Sequence, residues 1–199
     1  MRKVAMAVLA VLALGVGQAA AQAIQDPLEH ALDLGNRDQA AGAEAMLKLA
    51  QADDHRAQWY YAMYLLNGRG VARDEAQAWT WVKASAEGGH SEGMVSAAVM
   101  LATGQGVAED DVAARGWYRK AAEGGSAHAL RSLGGMVLTG EGGPAEKVRG
   151  LAYIELAHDG GDELAGKILG RVNITLTTEE LREAQAIKAE WKRKFGTPK

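Results

Sequence analysis

No cysteine occurs among the 199 residues. A disulfide framework, thiolate metal sites, a thiol nucleophile and a cysteine-linked lipid anchor are therefore excluded. The chain also lacks a strong excess of either charge. Charged residues make up 24% and the formal net charge is -3, which speaks against a basic nucleic-acid binder and against an acidic solvating tail. Long hydrophobic runs are missing too. The apolar stretch from Val4 to Val16 falls short of the roughly 18 residues that a bilayer span needs, and no second one follows. What is present is a hydrophobic content of 48%, enough for the core of one ordinary domain or a short repeat array.

The beginning of the chain reads as an address. Arg2 and Lys3 precede the apolar run, and the small-residue tripeptides Ala19-Ala20-Ala21 and Ala21-Gln22-Ala23 follow it. That order of charge, apolar core and small residues is the layout of a secretory signal peptide, here residues 1–23, with Ile24 as the first mature residue. Cleavage would remove Arg2 and Lys3 and make the exported protein slightly more acidic. A cysteine-free exported chain of this kind fits the periplasm of a Gram-negative bacterium, with no stable membrane insertion after cleavage.

Self-similarity organises the remainder. Gly68 and Gly70 recur as Gly104 and Gly106 and again as Gly140 and Gly142, each step being 36 residues. The same shift carries Gly88-Gly89 to Gly124-Gly125 and Gly160-Gly161, Trp81 to Trp117 and Tyr153, and Asp74 to Asp110 and Glu146. Each copy reads as two helices. The first carries small and apolar residues at helical spacing, such as Ala57, Tyr61, Ala62, Tyr64 and Leu65, and stops at Gly68, Gly104 or Gly140, which can take the left-handed C-terminal position. The second begins at Asp74, Asp110 or Glu146, acidic residues suited to a helix N-terminus. It ends at Gly88, Gly124 or Gly160, which permit a sharp reversal. Ahead of the first copy, Asp26-Pro27 marks a helix start, and 38–52 matches the second helix of a degenerate repeat. Behind the last, Thr177 and Glu180 have capping-box spacing before a helix that passes Trp191 towards Gly196, with Lys192, Arg193 and Lys194 near its negative end.

The copies resemble the Sel1-like repeat, whose pattern is Ala-x-x-x-Leu-Gly-x-x-(Tyr/Met)-x-x-Gly-x-Gly-Val-x-x-Asp-x-x-x-Ala-x-x-Trp-(Tyr/Val)-x-x-Ala-Ala-x-x-Gly, and no copy matches it at every position. Ala129, Leu133, Gly134, Gly140 and Gly142 carry it in the third copy, and Asp110, Ala114, Trp117, Tyr118, Ala121, Ala122 and Gly125 in the second. Tyr61-Ala62 and Ala97-Ala98 depart from it by replacing Leu-Gly, as does Gly143-Pro144 in the third turn. The resemblance implies an all-α protein, an α/α solenoid of three helix-turn-helix repeats with helical caps at both ends. The expected divisions are an N-terminal cap over 24–56, repeats at 57–92, 93–128 and 129–166, and a C-terminal cap over 167–199.

Stacked helix pairs make one continuous core and leave a concave surface lined by the first helices, where such folds bind their partners. By analogy with the related tetratricopeptide geometry, the groove positions are Arg56, Trp59, Met63 and Leu66 in the first copy, Glu92, Val95, Val99 and Ala102 in the second, and His128, Arg131, Gly135 and Leu138 in the third. The stripe is apolar in the middle and charged at its edge. It suits a peptide, helix or loop, with Trp59 and Arg131 as expected anchors because aromatic and arginine side chains dominate interface energetics. Trp81 and Trp117, on second helices, are expected to pack in the core.

Signs of catalysis are weak. Gly89-His90-Ser91-Glu92-Gly93 matches Gly-x-Ser-x-Gly, but a nucleophile elbow needs a preceding strand, and the segment before Ser91 reads as a helix. Ser91 is expected to be a helix cap at the junction between copies. His30, His55, His90, His128 and His158 show no two-ligand helix spacing, and the Gly-x-Gly turns lack the strand context or lysine of nucleotide loops. Neither a catalytic residue, a metal nor a cofactor is expected. The resemblance implies a monomeric, non-catalytic adaptor in the cell envelope that binds another protein, such as a sensor or an assembly factor. A second reading is an immunity protein that neutralises an envelope-targeting toxin such as a lipase. A third, a β-lactamase-like envelope enzyme, is implied by relatives that are rich in the cysteine this chain lacks.

Overall fold

The computed structural model describes residues 26–171 and 175–199; the signal peptide expected at residues 1–23 lies outside them. Among the described residues there are ten α-helices and no strand: α1 Pro27–Arg37, α2 Gln39–Gln51, α3 His55–Asn67, α4 Glu75–Glu87, α5 Ser91–Thr103, α6 Asp111–Glu123, α7 Ala127–Thr139, α8 Lys147–Asp159, α9 Glu163–Arg171 and α10 Thr178–Phe195. None is long and apolar enough to cross a membrane.

Short polar side chains set the helix starts. Asp26 accepts from the Leu28 amide, Asp38 from Ala40 and Ala41, Asp54 from Arg56 and Ala57, Asp74 from Gln77, Asp110 from Ala113 and Ser126 from Ala129. Each such cap satisfies an otherwise orphaned amide and stabilises its helix by about 1 kcal/mol. Glu146 precedes α8 without a cap bond. Its longer side chain instead reaches Arg149 at 2.8 Å and the buried Arg115 at 3.7 Å.

Glycines set the ends. The first helix of each copy stops at Gly68, Gly104 or Gly140, with φ of 64°, 67° and 86°. After the second helix the outcome differs from the expectation. Gly88, Gly124 and Gly160 remain right-handed, with φ of -74°, -75° and -82°, and the reversal is made by Gly89, Gly125 and Gly161 at φ of 89°, 100° and 92°. Only this second glycine of each pair is in the left-handed region that disfavours a side chain.

A close approach explains why the period is strict. A β-carbon at Gly70, Gly106 or Gly142 would run into the carbonyl of Gln39, Glu75 or Asp111. These are the first residues of α2, α4 and α6, so each inter-helix turn sits on the start of the second helix one repeat earlier. Fully buried alanines such as Ala62, Ala78, Ala98, Ala114, Ala129 and Ala152 bring the helices together. Larger side chains fill two contiguous cores. Leu28, Met46, Leu65, Val82 and Met100 belong to the first, and Leu130, Leu133, Ile154, Leu156 and Trp191 to the second. Trp79 and Trp117 are half-buried and pack against both. Trp81 meets Tyr61 edge-on at 5.7 Å.

Candidate functional site

The first helices α3, α5 and α7 carry the predicted groove positions, and the structure distinguishes among them. Arg56, Glu92 and His128 are exposed at the edge, with Arg56 lying 3.6 Å from Asp26 and 3.9 Å from Asp54. One turn on, Trp59 is half-buried, edge-on to Tyr60 at 4.8 Å and tilted over His90 at 5.8 Å. Its Nε1 donates to Ser96 Oγ at 2.9 Å, tying α3 to α5.

The equivalent positions of the next two copies are corrected. Val95 is only 6% exposed and belongs to the core. Arg131 is no free anchor, because its Nε donates to Asp162 Oδ2 at 2.9 Å and both side chains are largely buried. Burial pushes the Asp162 carboxyl up, but the hydrogen bonds from Arg131 and the Ala165 amide outweigh it and hold the group below its ordinary value. The pair therefore fastens α7 to the start of α9.

Beyond these positions the surface opens. Met63 and Leu66 are half-buried on α3, Val99 is 39% exposed on α5, and Ala102 and Leu138 are half-buried. A β-carbon at Gly135 would meet nothing within 4 Å, so α7 contributes a shallow gap at the level of Val99. The open stripe consists of Met63, Leu66, Val99, Ala102 and Leu138, with the edge of Trp59 at one end. Val99 is the one large apolar side chain on it that stands in solvent, the others being half-buried.

Around Ser91 the geometry is that of a junction. Ser91 is the first residue of α5 and not its cap. The preceding His90 takes that role, its Nδ1 accepting from the Gly93 amide at 3.2 Å. Burial lowers the pKa of His90, with Arg56 and His55 acting in the same direction against Glu92 and Asp54, and a neutral imidazole is what an acceptor nitrogen requires. The element before the turn is α4, a helix, so the strained strand-to-helix elbow of an esterase is not formed.

Sequence reasoning did not anticipate a cavity of about 190 Å³ on the second helices. It lies between α6, α8 and α10, with Arg119, Arg149, Glu190 and Lys194 around Tyr153, Ile187 and Trp191. Glu190 and Glu123, which also lines it, offset two of its three cations.

The Sel1 repeat family profile matches residues 55–90, 91–126 and 127–162, more than half of the chain. The protein belongs to the Sel1 repeat family. Each matched unit starts on the first residue of α3, of α5 or of α7. Among solved structures, a Sel1 repeat protein from Oxalobacter formigenes is similar at 30% sequence identity and a TM-score of 0.59, over 64% of this chain and 96% of that one. Cysteine-rich protein B of Helicobacter pylori shares the fold at 16% identity and a TM-score of 0.54, over 65% of this chain and 96% of that one. No curated protein matches the chain.

Within the Sel1 framework the stripe on α3, α5 and α7 is the first-helix surface of the solenoid. Two fastenings do not recur from one copy to the next. One is the Arg131–Asp162 pair. The other is the C-terminal tail, whose Lys199 amide donates to the Gly125 carbonyl at 2.8 Å and whose Lys199 carbonyl accepts from the Ala127 amide at 3.1 Å. No periodicity could reveal the tail contact, since residues 197–199 lie outside the repeat.

Proposed function

We propose that this Sel1 repeat protein is a non-catalytic scaffold that works in the periplasm and binds a partner protein along Met63, Leu66, Val99, Ala102 and Leu138. Val99 carries the reading: it is a large apolar side chain left in solvent at the middle of a first-helix stripe. Val99 is 39% exposed, so association can bury only that fraction of it and gain a corresponding part of full burial, which is favourable by about 1.5–3 kcal/mol. The gap at Gly135 beside it leaves room for an apolar anchor of the partner. Trp59, held by Ser96 and Tyr60, supplies a rigid wall at the end of the stripe. The layout of residues 1–23 supports export, and the partner is an envelope protein: a sensor, an assembly factor or a toxin.

A photo-crosslinking amino acid at Val99, irradiated in cells, tests the surface. One dominant protein adduct is expected, weakened strongly by Met63→Asp, since loss of an anchor typically costs about 2 kcal/mol or more. Adducts from a probe at Arg119 on α6 with none from Val99 would overturn the groove assignment. Fractionation with N-terminal sequencing tests the compartment separately, with periplasmic protein beginning at Ile24 expected.

A further inference from the structure

Each repeat forms a small slot between the first residue of its first helix and the first glycine after its second helix, and the three slots differ in what fills them. In the repeat 55–90 the pair is His55 and Gly88, and the His55 ring occupies the place where a Gly88 β-carbon would be. In the repeat 127–162 the pair is Ala127 and Gly160. There the tail fills the slot, a β-carbon at Gly160 coming within 2.7 Å of the Pro198 carbonyl oxygen. Pro198 is buried, as is Ala127. Lys199 straddles the Gly125–Ala127 backbone with its two hydrogen bonds, the pattern by which one residue of a parallel pair bridges its neighbour.

The middle slot has neither filling. Its pair is Ser91 and Gly124, and a β-carbon at Gly124 would meet only carbonyls of its own turn, those of Ala121 and Lys120. Gly89, Ser91 and Gly124 are all exposed. The Gly89 carbonyl and the Ser91 amide stand where the Gly125 carbonyl and the Ala127 amide stand one repeat later, and among the described residues neither makes a backbone hydrogen bond outside the helices. Gly89 and Gly125 have similar positive φ values, 89° and 100°, so the two junctions present their backbones alike.

We infer that the Ser91–Gly124 slot is a peptide-binding site for an extended, proline-bearing segment of a partner polypeptide. Proline would seat against Gly124, and the residue after it would donate its amide to Gly89 and accept from Ser91, as Pro198 and Lys199 do in the next repeat. Glu92 and Glu123 adjoin the slot in the chain and favour a basic residue next to the proline, which the tail itself has in Lys199. A proline segment is pre-extended and loses little entropy on docking. This site lies at the repeat junctions and does not depend on the first-helix stripe proposed above.

The test adds a labelled peptide of sequence Lys-Phe-Gly-Thr-Pro-Lys to the full chain. Saturable binding is expected, with the amide resonances of Ser91 and Gly124 shifting, and replacement of the peptide proline by alanine should weaken it by about tenfold. Ser91→His should abolish binding by plugging the slot as His55 does, in a fold that already carries histidine at this position. Gly124→Leu, whose right-handed backbone admits a side chain, is the second plug if the first disturbs α5. Met63→Asp should leave binding unchanged. No binding to the full chain, or binding that survives both plugged variants, overturns the inference. So does a dimer that is lost when residues 197–199 are removed, because the occupant would then be a second copy of this chain.

Discussion

The two ends of the solenoid are closed by different physics. At the N-terminal end α1 and α2 meet through glycine, the site of a Gly42 β-carbon falling on the Gly35 backbone. Arg69 reaches over from the first repeat to donate to the Gly35 carbonyl at 2.9 Å. At the C-terminal end α10 is held by a ring stack and by ions. Trp191 lies edge-on to Tyr153 at 5.1 Å and against Phe195 at 4.7 Å. Around them Lys188 pairs with Glu155 and Asp159, Lys192 with Asp159, and Lys147 with Glu180. The closest helix approach at one end therefore depends on the absence of side chains, whereas the last helix at the other is fastened by large and charged ones. A repeat array contacts only its neighbours, so each closure should fail locally.

The largest effect is expected from Trp191→Ala. Trp191 is only 5% exposed, and removing a buried aromatic of this size typically costs about 3–5 kcal/mol. Amides of α10 should lose hydrogen-exchange protection while those of α2 and α3 keep theirs. Equal loss along the whole chain would show that the two ends are one cooperative unit.

These closures were legible to different degrees in the sequence. The repeat itself was plain, because glycine turns, capping carboxylates and small core residues answer to rules that act over a few residues and recur at each period. Side-chain depth was less accessible. Trp59, Val95 and Arg131 share one register position, yet the first bonds Ser96, the second is buried and the third pairs with Asp162, because length and charge decide how far each reaches. The glycine pairs were found, but which member takes positive φ depends on where the helical hydrogen bonds run out. Ser91 and His90 could both cap α5, and only the structure shows the imidazole doing so. The tail contact had no repeated counterpart to signal it.

A medium effect sharpens the contrast at the N-terminal end. Gly42→Ala places a methyl group on the Gly35 backbone, and overpacking of this kind costs about 1–3 kcal/mol. Calorimetry should show reduced stability, with α1 losing protection first. Gly135→Ala is the matched control. Its β-carbon enters open space and alanine favours the helix by about 0.8–1 kcal/mol, so stability should rise. It would also begin to fill the gap beside Val99, and a weaker Val99 crosslink in this variant would show that the gap is part of the binding surface. Destabilisation by Gly135→Ala would mean that the steric account of Gly42 is incomplete.

The smallest effect separates the ends by pH. Lys147 donates to Glu180 at 2.8 Å, and Glu180 also accepts from the Thr177 amide at 2.7 Å in a capping box at the start of α10. The hydrogen bond from Lys147, followed by those from Thr177, lowers the Glu180 carboxyl from 4.5 to about 2. Its folded-state value lies below its unfolded one, so the stabilisation is fully present above about pH 4.5 and fades as pH falls towards about 2. Asp159 moves in the same direction: burial opposes the shift, and the bonds from Lys192 and Lys188 prevail. Acid should therefore loosen α10 across that window, read as hydrogen exchange of its first turn, while the glycine contact of α1 with α2 has no proton to gain. Glu180→Gln should flatten the Glu180 part of the pH response. If the first turn of α10 loosened over the same window in that variant, the Lys147–Glu180 pair would not be what makes this end acid-sensitive.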